Sequence, residues 1–195
     1  MELPPLARER LKKIGAITDE EKRSLGRESK LSSLLSEYFK GDLDVDGLWK
    51  AINDLKTDMG EPVVAEAQGK LIDTLRLQMT KEEFERRRDG VLALETLKEQ
   101  GNYGVVEAAF KSIEGLRDQY QAGKDQAYQQ VKATLAKQME SFADQAKMQG
   151  LSVDTERSAE ANVRNSPQWK DFLAKHDQSH EQTFKRYWAQ LRDAL

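Results

Sequence analysis

The sequence predicts an all-α fold: a compact helical bundle with one long helix and an aromatic-rich C-terminal helix. Three observations carry this. Four prolines and twelve glycines are few for 195 residues, while Ala, Leu, Glu, Lys and Gln are common, which favours helix. Apolar residues recur at helical spacing, and no stretch of useful length alternates apolar and polar as a half-buried strand would. Capping signals punctuate the chain where those stripes begin.

The elements follow in order. Pro4 and Pro5 open a helix to about Lys13, stopped by Gly15. Thr18 starts T-D-E-E, a capping box with Glu21. Its helix runs through Leu31, Leu35 and Tyr38, is weakened by Gly26, and ends at Gly41. Asp46 is expected to cap a short helix with Leu48, Trp49, Ile52 and Leu55 inward. Gly60 ends that helix, and Pro62 opens the next, whose stripe reaches Leu75 and Met79. Thr80 and Glu83 form a second capping box for a helix closing at Gly101.

From Asn102 to Gly150 nothing is a firm stop. The weak point is Gln121-Ala122-Gly123-Lys124-Asp125. The segment is either one bent helix near 70 Å long or a hairpin. One interior glycine costs only about 1 kcal/mol, which favours the single helix. A seven-residue count from Phe110 meets Arg117 and Lys124, which argues against a sustained coiled coil. Residues 151–165 read as a loop or weak helix. Ser166 as N-cap and Pro167 at the first helical position then start the last helix. The resulting division is 1–101, several short helices, and 102–195, the long and C-terminal helices, packed together as one domain.

Two segments look alike. Leu11–Lys22 reads LKKIGAITDEEK and Leu75–Arg86 reads LRLQMTKEEFER. This pattern resembles the short helical hairpins at the C-termini of many bacterial proteins, where they support oligomerisation. The likeness rests on a capping box and assigns no residue a role.

Composition excludes several function classes. Without cysteine there is no disulfide, thiolate nucleophile or Fe–S cluster. The net charge is −3, and residues 41–66 hold seven acidic and two basic side chains, so the acidic excess sits in one stretch. Arg86-Arg87-Arg88 is flanked by Glu82, Glu83, Glu85 and Asp89, so no nucleic-acid partner is expected. The start MELPPLARERLKK has charges where a signal peptide is apolar, and the longest apolar run, Val91–Leu94, is too short to insert in a membrane. A cytoplasmic location is expected.

Two constellations carry chemistry. His176 and His180 share a helix face at a spacing that can chelate a divalent metal. The string H-D-x-x-H lacks a third histidine, and a core pair is the plainer reading. Asp42, Asp44 and Asp46 in D-x-D-x-D-G match the first half of a calcium loop, but Asn53 stands where a bidentate Glu is needed. Helix capping is the plainer reading there too. Aromatics form a third feature. Trp169, Phe184, Tyr187 and Trp188 crowd the last helix, and Trp49 stands beside the acidic loop. They are candidate anchors for a protein partner or for self-association, since aromatics dominate binding hot spots. The last helix is equally suited to docking in the core.

No phosphate-binding glycine loop, nucleophile elbow or E-x-x-H pair occurs. The sequence therefore points to a helical interaction or assembly module, adaptor-like or chaperone-like, without catalysis or cofactor. The alternative is a metal-binding protein or metal-dependent enzyme using His176 and His180.

Overall fold

The computed structural model describes residues 19–148, 160 and 162–195. The expected helix at 4–13, the capping box at Thr18 and most of the 151–165 loop lie outside them. Among the described residues the chain is all-helical, with six helices and no strand. They are α1 (Asp19–Lys40), α2 (Val45–Met59), α3 (Pro62–Asp73), α4 (Lys81–Glu95), α5 (Tyr103–Met148) and α6 (Pro167–Ala194). The chain divides into two compact units. One comprises Met1–Leu71 and Glu85–Gly101, the other Ile72–Phe84 and Asn102–Leu195.

In the first unit, α1 passes through Gly26 without a break and ends where Gly41 turns left-handed at φ 86°. There the Asp42 N–H donates to the Glu37 carbonyl at 3.0 Å and the Gly41 N–H to the Tyr38 carbonyl at 3.1 Å, closing the helix end. The cap of α2 is Asp44 rather than Asp46. Asp44 is extended (φ −86°, ψ 178°) and its carboxylate accepts the Gly47 N–H at 2.7 Å, while Asp46 already lies in the first turn. A Cβ on Gly47 would stand 2.5 Å from Leu43 Cδ1, so the Leu43 side chain would have to shift to admit one.

Leu31, Leu35, Leu48, Ile52, Val63, Val64, Leu71, Val91 and Leu94 are among this unit's buried residues. Tyr38 is fully buried, and its hydroxyl donates to the Arg86 carbonyl. Arg86 Nη1 donates back to the Tyr38 carbonyl at 3.0 Å, and a Cβ on Gly90 would meet Tyr38 Oη at 2.9 Å. The arginine run is thus used within the unit: Arg87 lies 4.8 Å from the Phe39 ring and Arg88 pairs with Asp89 at 2.9 Å. The expected helix end at Gly101 is corrected to Glu95. The carbonyls beyond it are met from a distance, with Lys56 Nζ donating to the Leu97 carbonyl at 2.6 Å.

The helix opened by Pro62 ends at Asp73, at the start of the second unit and six residues before Met79. Leu75 and Leu77 stay buried, but in a turn. The exposed carbonyls of that turn are taken by Arg117 of α5, which donates to the carbonyls of Arg76 (3.0 Å), Met79 (2.6 Å) and Thr80 (3.2 Å). Burial lowers the Arg117 pKa from its usual value, while Asp118, Glu114 and Glu83 oppose that shift. The Thr80–Glu83 capping box forms as expected: the Thr80 N–H donates to Glu83 Oε2 at 2.9 Å and the Glu83 N–H to Thr80 Oγ1 at 3.2 Å.

The segment after Asn102 is one helix of 46 residues, so the hairpin alternative fails. Its partner is α6, capped by Ser166 Oγ, which accepts the Trp169 N–H at 3.2 Å behind Pro167. The two run antiparallel: Tyr128 meets Trp169 at 5.6 Å and Tyr120 meets His176 at 5.0 Å.

Candidate functional site

The α5–α6 pair carries most of the chemistry-bearing residues. On its packed side, Val106, Phe110, Ile113, Leu116 and Tyr120 of α5 are buried, as are Trp169, Phe184 and Leu191 of α6. The Trp169 ring forms a cluster with Ala127 and Val163, joined by Tyr128, Val131, Leu135, Phe172 and Leu173.

The histidine pair sits in this interface. His176 is stacked between Tyr120 (5.0 Å, 21°) and Phe172 (4.8 Å, 24°). Its Nε2 lies 2.9 Å from the Tyr120 carbonyl oxygen. The His180 ring lies 4.1 Å from it, with Nδ1 at 2.9 Å from the His176 carbonyl oxygen. Gly123 makes room for this arrangement, because a Cβ there would stand 2.7 Å from His176 Cε1. The apparent break in the long helix is therefore a slot for a ring. Asp177 accepts the Tyr120 hydroxyl at 2.9 Å. Burial, then that bond and its charge, push Tyr120 up to about 12.

The five aromatics expected to act as anchors divide by exposure. Trp169 and Phe184 are buried. Trp49, Tyr187 and Trp188 are half-buried. Trp49 Nε1 donates to Thr96 Oγ1 at 3.0 Å, and Trp188 Nε1 to the Ile72 carbonyl at 2.9 Å. Both indole N–H groups are thus committed within their own units. Asp42, Asp44 and Asp46 are all exposed, and Asp44 serves as the helix cap. Among the described residues, no three His, Asp or Glu side chains come together in a group that would hold a metal.

Above the packed side, α5 and α6 border a groove of about 280 Å³. Ser112, Gly115 and Gln119 line it from α5, and Ser179, His180, Thr183 and Tyr187 from α6. Gly115 has nothing within 4 Å of where its Cβ would stand, and neither does Gly104. Gly104, Ala108, Ser112 and Gly115 therefore form an exposed small-residue face at helical spacing, one into which a partner backbone can come close. Val105 and Tyr103, 59% and 46% exposed, flank its start and are the exposed large hydrophobics of the described residues. Of the five aromatic anchors, only Tyr187 lines this groove. The recurrence of small residues at i, i+4 from Gly104 was the available signal for the rest.

No helix among the described residues is long and apolar enough to cross a membrane. Residues 49–195 match a protein family described as "Family of unknown function (DUF6657)". No curated protein and no solved structure matches the chain.

Proposed function

The chain belongs to the family of unknown function DUF6657, and we propose that it is a cytoplasmic helical interaction or assembly module that works by docking a protein partner rather than by catalysis. The observation that supports this reading is the groove along α5 and α6, with open space over Gly115 and Tyr187 on its wall, and with Val105 exposed earlier on the same helix. An aromatic wall and a small-residue floor suit an inserted helix or extended segment. Tyr187 offers contact area at little entropic cost, and the glycine lets the partner approach.

The test is capture from the native lysate, followed by mass spectrometry after a moderate-salt wash. The bait is the wild-type chain, Val105→Asp or Gly115→Gln. Both substituted residues are exposed, so the fold is expected to survive, and circular dichroism checks that. One stoichiometric partner, either another protein or a second copy, is expected with wild type and lost with both variants. Recovery of bait alone, or equal capture by all three, would overturn the proposal.

A further inference from the structure

We propose that His176 and His180 form a two-histidine site for a divalent transition-metal ion. A histidine ligates a metal through its unprotonated nitrogen, and metal-binding histidines almost always donate the other N–H to a carboxylate, a backbone carbonyl or water. Both rings here show that pattern. His176 Nε2 faces the Tyr120 carbonyl and His180 Nδ1 faces the His176 carbonyl, each at 2.9 Å. A carbonyl oxygen can only accept, so those two nitrogens carry the hydrogens. His176 Nδ1 and His180 Nε2 are left with free lone pairs.

The spacing suits a shared ion. A metal lies about 2.0–2.1 Å from a ligating imidazole nitrogen, which puts the centroids of two cis imidazoles about 4.5 Å apart and of two tetrahedral ones about 5.2 Å apart. The observed separation is 4.1 Å, with the rings tilted by 48°. The cis arrangement needs the smaller adjustment, and it is the one found in square-planar and octahedral sites, so Cu²⁺ and Ni²⁺ are favoured over Zn²⁺.

The rings are also held in place before any ion arrives. Tyr120 and Phe172 clamp His176, the Gly123 slot seats its edge, and Tyr120 packs edge-on to His180 at 5.5 Å. His180 lines the groove, which leaves the remaining coordination positions to water. This site goes beyond the docking reading and does not depend on it.

The experiment uses the full chain, without a histidine tag and stripped with EDTA. Cu²⁺, Ni²⁺ and Zn²⁺ are titrated singly by calorimetry at pH 7.5, and thermal unfolding is followed by circular dichroism. One ion per chain is expected, with Tm rising in proportion to log concentration as mass action requires. His180→Ala, at a half-buried position, is expected to weaken binding about ten-fold or more. His176→Asn is a second variant, and nitrogen hyperfine coupling in the Cu²⁺ spin-resonance spectrum is a readout independent of stability. No heat and no Tm shift at millimolar Ni²⁺ or Cu²⁺, or equal binding by His180→Ala, would overturn the proposal.

Discussion

Replacing Gly123 by alanine should destabilise the protein, although the same change normally strengthens a helix. Alanine in a helix interior is worth about 1 kcal/mol over glycine. Against that gain, the new methyl would stand 2.7 Å from His176 Cε1 and 3.3 Å from Nε2. Carbon atoms in contact sit roughly 3.5–4.0 Å apart, so the ring must retreat by about 1 Å. That movement breaks the 2.9 Å bond to the Tyr120 carbonyl, worth about 1 kcal/mol. It also disturbs both stacks, and overpacking of this kind costs about 1–3 kcal/mol. The net expectation is a loss of about 1–3 kcal/mol, read as a lower urea midpoint at unchanged m-value.

The same helix provides the control. Gly115→Ala meets nothing within 4 Å and should stabilise by up to about 1 kcal/mol. A double-mutant cycle isolates the cause. Once His176→Ala has emptied the slot, Gly123→Ala should reverse sign and stabilise by about 1 kcal/mol. If Gly123→Ala stabilises the wild-type protein as Gly115→Ala does, the slot reasoning is refuted.

Two further predictions concern caps and tyrosines. Asp44→Ala should lower stability by about 1 kcal/mol, whereas Asp46→Ala should cost only a few tenths, as measured by urea denaturation. The reverse order would mean that the cap is misassigned. Tyr38 and Tyr120 are each raised to about 12, chiefly by burial. The folded state thus holds these protons more tightly than the unfolded state does, so their contribution is complete below pH 10 and lost as pH rises from 10 to 12. Phenolate absorbance should show two of the five tyrosines ionising only with that loss, and five ordinary titrations would contradict it.

Features that depend on neighbouring residues were legible in the sequence. The Thr80–Glu83 box and the Ser166-Pro167 start are encoded within four residues and appear where expected. Helix ends decided from a distance were not. The stripe through Met79 continues on paper, yet the helix stops at Asp73, where Arg117, some forty positions along the chain, takes the carbonyls of the turn. Gly123 read as a weak point because the conformational cost of glycine is visible in a sequence and the ring that fills its missing Cβ is not. Asp44 and Asp46 are chemically equal, and only backbone angles separate cap from first turn. The groove was the least legible feature: Ser112 and Gly115 are small and carry no chemistry of their own, so exposure alone distinguishes them.

The most direct test of the docking face is site-specific photo-crosslinking. A benzophenone amino acid is placed at Gln119, which lines the groove, or at exposed Gln129 further along the same helix. After irradiation in the native lysate, the docking account predicts one recurrent adduct from position 119 that position 129 does not give. Equal labelling from both positions, or none from 119, would contradict it.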